Sequence, residues 1–396
     1  MDVEQARRDT PGVRRVAHFN NAGASLPPRQ VTEAVIAHLE REAAIGGYEA
    51  ADAAREMIDH TYVSIARLIG ADLDEVAVVE NATRAWDMVF YGIRFEPGDR
   101  ILTARSEYAS NVIAMSQVAG HSGAVIEVID DDADGQVSVA DLQRRLGEGS
   151  ARVKLVALGH VPTHGGLVNP VEAVGAACRD AGVLFLLDAC QSVGQMPLDV
   201  ATIQCDMLVA TGRKFLRAPR GTGFLYVRQA ILDQLEPPFL DLHSATYGPD
   251  GTVTMRGDCR RFETWESNVA ATIGLGVAAE YAMGWGLDAI ENRVVELGDH
   301  LRAGIGAVEG IAIHDLGVRR CGIVSFGVDG WPADDVKRML RDSRVNVSVS
   351  TPGHAPFDLP YRVPAGLVRA SVHYYNTHDE IDRLIHALRG RPNVAL

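Results

Sequence analysis

The sequence predicts an α/β fold: a large domain with a mainly parallel, seven-stranded sheet, followed by a small C-terminal α+β domain. The chain has 396 residues, which is more than one small core usually organises. From about residue 70 to 230, short apolar runs alternate with amphipathic stretches, which is typical of parallel strands covered on both faces. After residue 265 the pattern changes to long helices and then to mixed strands and helices, which indicates the second domain.

The apolar runs give the strands of the large domain, predicted at 75–79, 100–102, 124–129, 153–158, 183–187, 207–210 and 223–227. The helices between them are predicted at 83–93, 139–146 and 171–181. In the second domain we predict helices at 270–283, 287–308, 333–342 and 378–388, and strands at 311–315, 323–328, 346–349 and 367–372. Segments 235–260 and 350–366, rich in Pro, Gly and Asp, are predicted to be loops. The predicted division is an N-terminal segment (1–20), the large domain (21–265), and a linker helix with the small domain (266–396).

Composition excludes several classes of protein. With 47% hydrophobic and 23% charged residues, the chain has the balance of a soluble globular protein rather than a disordered one. Its net charge of −14 argues against a nucleic-acid partner. No apolar stretch is long enough to span a membrane and the polar amino terminus predicts no secretory signal, so we expect a cytoplasmic protein. The five scattered cysteines predict buried thiols rather than disulfides.

Asp188 follows the strand predicted at 183–187. Ligand sites in open α/β sheets lie at the carboxyl ends of the strands, and a carboxylate there is costly unless it is paired. The protonated pyridine nitrogen of pyridoxal 5′-phosphate (PLP) is a partner that would justify this position, because the pairing keeps the ring an electron sink. A helix N-cap is the alternative interpretation.

Lys214 lies in the loop after the strand predicted at 207–210, 26 residues beyond Asp188. Both side chains would then reach the same edge of the sheet, where a partly desolvated amine can form a Schiff base with PLP. The chain has only two other lysines: Lys154 begins a strand, and Lys337 lies in a polar outer helix. The alternative for Lys214 is an exposed surface lysine.

An anion site is predicted where a helix follows strand 75–79. Asn81, Thr83 and the free backbone N–H groups there would bind the PLP phosphate with help from the helix dipole, and N-capping by Thr83 is compatible with this. Thr211 and Arg213, which flank Lys214, would add a hydroxyl and a guanidinium.

Two runs look like familiar motifs but do not meet the requirements of those motifs. GTG at 221–223 lacks the third glycine of a dinucleotide fingerprint, which disfavours a nicotinamide-dependent enzyme. His160 and His164 have Pro162 between them and no HExxH motif, so we predict loop residues and no metal.

Three runs carry a resemblance to a known family: LLDACQS (186–192), ATGRKF (210–215) and RGTGFLYV (220–227). They resemble those of fold-type I, class V aminotransferase-like PLP enzymes, a group that includes cysteine desulfurases, isopenicillin N epimerase and the carbon–sulfur lyases of ergothioneine biosynthesis. The likeness extends from NNAG at 20–23 to VRAS at 368–371. It implies the fold of a fold-type I PLP-dependent transferase, an amino-acid substrate and a homodimer.

The resemblance also implies roles for individual residues. Lys214 would form the Schiff base and move protons at the substrate Cα, Asp188 would pair with the pyridine nitrogen, and Gln191 would donate to the PLP phenolic oxygen. Arg369 would grip the substrate carboxylate, with a strand-edge surface arginine as the alternative. The predicted cofactor contacts are Ala82, Thr83, Tyr108, Thr163, Asp188, Gln191, Thr211, Arg213 and Lys214, and the predicted substrate contacts are Arg369 and Asn21, with His243 and His354 as further pocket residues.

The chain departs from the desulfurase pattern in three places. The loop 348–363, which carries a cysteine nucleophile in desulfurases, contains no cysteine. A histidine pair is replaced by Glu107-Tyr108-Ala109-Ser110-Asn111, so we expect Tyr108 to stack on the ring. The phosphate contact lent by a partner subunit falls near 261–267, where Thr264 or Ser267 is a better donor than Glu266.

These observations predict a carbon–sulfur β-lyase acting on an S-substituted cysteine or its sulfoxide, with thiol or sulfenate, pyruvate and ammonia as products. Within the same family, an aminotransferase, an epimerase and a decarboxylating deaminase are alternatives. A cysteine desulfurase ranks lower because the acceptor cysteine is missing, and a catalytically silent PLP-fold partner protein ranks lower because Lys214, Asp188 and Arg369 are all present.

Overall fold

The structure is a computed structural model that describes residues 1–148 and 152–391. Its strands are β1 (Ala17–His18), β2 (Val76–Val79), β3 (Arg100–Ala104), β4 (Val125–Ile129), β5 (Val153–Gly159), β6 (Leu184–Asp188), β7 (Met207–Thr211), β8 (Gly223–Val227), β9 (Ala245–Tyr247), β10 (Val253–Met255), β11 (Ile311–Ile313), β12 (Ile323–Val328), β13 (Val345–Asn346), β14 (Ser348–Ser350) and β15 (Leu367–Ser371). Its α-helices are α1 (Val3–Arg8), α2 (Arg29–Ile45), α3 (Gly47–Ala53), α4 (Arg55–Ile69), α5 (Ala82–Phe90), α6 (Ala109–Ser122), α7 (Val139–Gly147), α8 (Val171–Ala181), α9 (Val200–Ile203), α10 (Val269–Trp285), α11 (Leu287–Gly306), α12 (Ala333–Asp342), α13 (Leu359–Arg362) and α14 (His378–Arg389).

Seven of these strands form one sheet in the order β2-β8-β7-β6-β5-β3-β4. Strand β8 runs antiparallel to both of its neighbours, and the other adjacent pairs are parallel. The central strands are apolar runs buried on both faces, as helices above and below the sheet require. The predicted mainly parallel, seven-stranded sheet is confirmed.

Two glycines let the chain pass closely at the edge of this sheet. A Cβ on Gly223, at the start of β8, would lie 2.7 Å from the Ala210 carbonyl oxygen and 3.0 Å from the Ala82 nitrogen. Gly194 has a φ of +85°, and a Cβ there would lie 2.5 Å from the Leu216 nitrogen. Only glycine allows these approaches. The first brings β8 against the start of α5, and the second brings the loop after β6 against the loop after β7.

A second, antiparallel sheet has the order β11-β12-β15-β14 and packs against α11 and α12, and α14 packs against these two helices. The amino-terminal segment is attached to this part of the molecule: β1 pairs with β13, and Asn20 bridges to Ser371. Arg7 and Glu380 form a salt bridge of 3.0 Å across the same junction. Residues before 21 therefore pack with the C-terminal elements.

Most predicted elements lie close to their observed bounds, and the differences concern short or unpredicted elements. The segment 235–260, predicted to be a loop, contains the hairpin β9–β10, and 350–366 contains α13. The strand predicted at 346–349 is split into β13 and β14, which pair with different strands. Among the described residues, no helix is long and apolar enough to cross a membrane.

Candidate functional site

A cavity of about 600 Å³ lies at the carboxyl ends of β5, β6 and β7, within the usual size range of small-molecule sites. Its walls also include the start of α5, the start of α6, and residues of β14 and β15. The described residues that line it are Ala22, Gly23, Asn81, Ala82, Thr83, Ser106, Glu107, Tyr108, Asn111, Gly159, Val161, Pro162, Thr163, Asp188, Cys190, Gln191, Thr211, Arg213, Lys214, Ser348, Val349, His354 and Arg369. The cavity therefore brings together all nine predicted cofactor contacts and Arg369.

Asp188 ends β6 with its carboxylate held on both oxygens. The backbone N–H of Cys190 donates to Oδ1 at 2.9 Å, and the side-chain amide of Asn111 donates to Oδ2 at 3.1 Å. Neither contact is a helix N-cap, because Asp188 is followed by a turn rather than a helix. The carboxylate is thus fixed at the cavity wall and can accept a further hydrogen bond from a bound cation.

The Lys214 amine also lines the cavity, in the loop after β7. Burial lowers its pKa below the ordinary value, and the positive charges of Arg213 and Arg369 act in the same direction, while Asp188 opposes them. A lowered pKa increases the fraction of neutral amine, which is the nucleophilic form. The alternative of an exposed surface lysine does not hold for this residue.

The start of α5 lines the cavity at the place where the sequence predicts an anion site. Asn81, rather than Thr83 as predicted, caps the helix by accepting from the Arg84 N–H at 2.9 Å, and the cavity wall contains Ala82 and Thr83. The free N–H groups of a first helical turn and the helix dipole attract anions. Thr211 and Arg213 line the same cavity, as predicted.

Gln191 and Arg369 meet at Thr163. The Gln191 amide donates to the Thr163 hydroxyl at 3.5 Å and to the Ala22 carbonyl at 3.2 Å, and Arg369 Nη1 donates to the Thr163 hydroxyl at 3.2 Å and to its carbonyl. Burial is the main reason that the pKa of Arg369 falls to about 10, and Arg213 adds to it, so the guanidinium remains charged at neutral pH. Gln191 Oε1 and Arg369 Nε are buried without a protein partner among the described residues.

The segment after β14 closes one side of the cavity through His354. Behind it, Asp358 accepts from His164 Nε2 at 2.7 Å and from Arg362 at 2.9 and 2.8 Å. These contacts hold the pKa of Asp358 below its usual range against the effect of burial. They connect the 350–362 segment to the loop after β5, and we call this the Asp358 clamp.

Two predicted pocket residues lie elsewhere. Asn21 is fully buried, where its amide donates to the Ser371 carbonyl at 2.7 Å and accepts from the Tyr375 hydroxyl. These contacts join the amino-terminal segment to β15, and Asn21 is not part of the cavity wall. His243 binds the buried Glu263 at 2.8 Å and is also outside the wall.

Sequence reasoning missed Glu107 and Asn111 as parts of the site. Both are buried in the cavity wall, and the Asn111 amide donates to Glu107 Oε1 at 2.9 Å as well as to Asp188. Glu107 lies in the loop after β3 and Asn111 in the first turn of α6. Their place just after a strand of the sheet was the available signal, because ligand sites in such sheets lie at the carboxyl ends of the strands.

The arrangement fits PLP. A fixed carboxylate for the pyridine nitrogen, an amine of lowered pKa for the aldehyde and a helix start for the phosphate line one cavity. The buried Gln191 Oε1 and Arg369 Nε, which have no partner in the described part of the chain, are the kind of polar atoms that a bound ligand satisfies.

Comparisons with known proteins agree with this reading. The family model "Aminotransferase class-V" matches residues 17–384. A relative from Mycobacterium leprae named "Probable cysteine desulfurase 2" is 32% identical, covering 97% of this chain and 95% of its own. A cysteine desulfurase structure from Thermococcus onnurineus is 28% identical with a TM-score of 0.89, covering 98% and 97% of the two chains. A cystine C–S lyase solved with cysteine persulfide is 24% identical, with a TM-score of 0.86 over 96% and 99%, and shows the same fold.

These findings confirm the resemblance, the fold class and the PLP cofactor predicted from the sequence. They leave the roles of individual residues and the substrate side chain as predictions.

Proposed function

Because the chain belongs to the class V aminotransferase family of PLP-dependent enzymes, we propose that it is a carbon–sulfur β-lyase. Its substrate is an S-substituted cysteine or the corresponding sulfoxide, and its products are a thiol or sulfenate, pyruvate and ammonia. Relatives that are named cysteine desulfurases support carbon–sulfur bond cleavage as the coarser activity. The finer assignment rests on the residues of this cavity.

The proposed cofactor contacts follow from the cavity wall. Lys214 is the covalent attachment point and Asp188 faces the pyridine nitrogen, while the start of α5 with Thr211 and Arg213 holds the phosphate. Tyr108 and Gln191 contact the ring and its phenolic oxygen. When bound, PLP supplies an electron sink for the pair of electrons that remains when a bond to Cα breaks.

The proposed chemistry of the chain begins at Arg369, which binds the substrate carboxylate. Its Nη1 is held by Thr163, so the guanidinium presents a fixed charge to the cavity. Lys214 then removes the proton from Cα, and its lowered pKa favours the neutral amine that can do so. The Cβ–S bond breaks as sulfur leaves with its bonding electrons, and the released 2-aminoacrylate takes up water to give pyruvate and ammonia.

The single observation that carries elimination over sulfur transfer is the composition of the 348–363 segment. It contributes Ser348, Val349 and His354 to the cavity and contains no cysteine. A desulfurase needs a thiolate that attacks the substrate sulfur. With no thiol in this segment, sulfur leaves with the substituent that it already carries.

Product analysis tests this proposal. The purified protein with PLP is given S-methylcysteine, S-methylcysteine sulfoxide, free cysteine and alanine, with Lys214→Ala as the blank. Pyruvate with an equal amount of thiol or sulfenate supports the lyase. An inverted, transaminated or decarboxylated skeleton assigns an epimerase, aminotransferase or deaminase instead, and no reaction with any amino acid assigns a silent PLP-fold protein.

A cysteine desulfurase is the second candidate, favoured by the names of the relatives. Among the described residues, Cys190 is the only cysteine in the cavity wall. Burial, with Asp188 beside it, raises the pKa of its thiol well above the ordinary value, which disfavours the thiolate. Alanine released from free cysteine, and lost in Cys190→Ala, would establish this candidate.

We also propose that the protein is a homodimer. Leu242, Tyr247 and Trp265 are 78, 74 and 58% exposed, and large apolar side chains exposed in one region of the chain are typical of an interface. Light scattering measures the mass directly: twice the chain mass of 42.7 kDa supports the dimer. A cytoplasmic location stays a prediction.

A further inference from the structure

We propose that Asn111 and Glu107 are positioning residues that hold the Asp188 carboxylate toward the cofactor. The inference deepens the proposed function, because it rests on the proposed pairing of Asp188 with the pyridine nitrogen. It assigns a task to two buried polar side chains behind the carboxylate.

One amide nitrogen connects the two acids. Asn111 Nδ2 lies 3.1 Å from Asp188 Oδ2 and 2.9 Å from Glu107 Oε1, so its two hydrogens are divided between the two carboxyl groups. Asp188 Oδ1 is already held by the Cys190 N–H at 2.9 Å. Without Asn111, the second oxygen of Asp188 would lose the side-chain donor that fixes the plane of the carboxylate.

Glu107 is the centre of the network. Its Oε1 accepts from the Tyr108 N–H at 2.8 Å in addition to Asn111, and its Oε2 accepts from the Thr103 hydroxyl at 3.3 Å. It therefore fixes both the orienting amide and the backbone of the residue proposed to contact the ring. Thr103 lies on β3, which connects the network to the sheet.

The burial and charge of Glu107 indicate that it does more than fill space in the core. Glu107 is fully buried, and burial together with the nearby Asp188 raises its pKa to about 7. Placing a second acid behind Asp188 costs stability, and its only polar contacts among the described residues are these three donors. An acid retained in such a position is typical of a site that must orient other groups.

PLP binding by the purified apoenzyme tests the inference without relying on turnover. We expect Asn111→Ala to raise the PLP dissociation constant about tenfold to a hundredfold, the usual result of removing a hydrogen bond to a charged group. The PLP dissociation constant of Asp188→Asn is the reference value. Because Asn111 acts through Asp188, adding Asn111→Ala to Asp188→Asn should weaken PLP binding by no more than about twofold further.

Glu107 is tested by a conservative and a disruptive change. Glu107→Gln keeps an amide oxygen that can accept from Tyr108 and Asn111, so PLP affinity and the visible spectrum should stay within about twofold of the original. Glu107→Ala removes the acceptor and should weaken PLP binding about tenfold. Glu127→Ala, on β4 outside the cavity wall, is the matched control and should leave PLP binding unchanged.

Circular dichroism checks that each variant is folded. If Asn111→Ala does not fold, Asn111→Ser replaces it, because a short hydroxyl cannot reach both carboxyl groups. A folded Asn111 variant that binds PLP as tightly as the original, or a double variant whose losses simply add, overturns the inference. If Asp188→Asn binds PLP as tightly as the original, the proposed pairing of Asp188 with the pyridine nitrogen is wrong, and the inference falls with it. If the PLP affinities are as expected but no pyruvate is formed, only the lyase assignment is overturned.

Discussion

The two walls of the cavity come from different parts of the chain and differ in character. The wall at the edge of the large sheet carries Asp188, Lys214 and the start of α5, on buried strands whose ends are fixed by the sheet. The opposite wall carries Arg369 and His354, and His354 lies on an irregular segment held by the Asp358 clamp. The first wall fits the cofactor, and we propose that the second faces the substrate.

The difference explains why the cofactor could be predicted with more detail than the substrate. Groups that meet PLP must lie at strand ends in a set order along the chain, so their positions can be read from the sequence. The segment that carries His354 has a shape that depends on contacts between distant residues, such as His164 with Asp358. Family membership therefore fits the first wall, whereas the substrate side chain and its contacts stay proposals.

The largest effect is expected from Lys214→Ala, which removes the reactive group of the first wall. Turnover should fall by about 10⁴-fold or more, since both the attachment point and the base are lost. Absorbance spectra should also lose the visible band of the covalently held cofactor. Lys337→Ala on α12 is the control, and a Lys214→Ala protein that kept the band would break the assignment.

Arg369→Ala tests the second wall. We expect kcat/KM to fall about a hundredfold, mainly through KM, because the substrate carboxylate loses a charged partner. The PLP dissociation constant should change little, which would separate the two walls. Arg369→Lys should recover part of the loss, and an unchanged kcat/KM in Arg369→Ala would remove its carboxylate role.

A pH-dependent stability difference is expected from Glu107→Gln in the cofactor-free protein. The pKa of Glu107 is about 7 when folded and 4.5 ordinarily, so the folded state holds a proton that the unfolded state has lost between these values. The stability linked to this proton is present below pH 4.5 and is lost as the pH rises through 7, on the order of 3 kcal/mol.

Urea unfolding from pH 4.5 to 8 measures this effect. The unfolding free energy of the original protein should fall relative to that of Glu107→Gln as the pH rises. Parallel curves for the two proteins would contradict the raised pKa.

Asp358→Asn should loosen the second wall alone. An amide can replace only part of the hydrogen bonding to His164 and Arg362, so we expect a loss of about 1–2 kcal/mol in unfolding free energy and a severalfold rise in KM. PLP affinity should be retained. If the PLP dissociation constant rose by the same factor as KM, the two walls would not be independent.

The smallest expected effect is a gain of activity rather than a loss. Gly353 lies beside His354, and among the described residues other than its two chain neighbours, the atom nearest to an added Cβ there is Thr351 Oγ1 at 4.0 Å. Gly353→Cys would place a thiol beside the cavity wall and should produce detectable alanine from free cysteine, with Gly353→Ser as the control. No alanine above the control would show that a thiol in this segment is not the missing element.

The sequence predicts the large sheet well because its strands are continuous apolar runs between turn residues. It predicts less where elements are short or depend on distant partners: the hairpin β9–β10 lies in a polar segment, and α13 has only four residues. The sequence pattern does not predict helices α2, α4 and α6, because they precede or interrupt the clear strand pattern.

The candidate site shows the same limit. Asp188 and Lys214 are at strand ends and were found, whereas Asn21 was misplaced because its contacts with Ser371 and Tyr375 span most of the chain. Glu107 and Asn111 were missed because only the fold brings α6 against β6. Local pattern predicts groups at strand ends that line the cavity, but not the residues that hold them.

The most direct test of the central claim is the fate of the substrate carbon skeleton. A cysteine S-conjugate labelled with ¹³C at Cβ is incubated with the holoenzyme, and the products are followed by NMR. A lyase should place the label in the pyruvate methyl group, matched by released thiol, with no labelled alanine. Alanine as the main product, or a labelled amino acid whose C–S bond is intact, would contradict it.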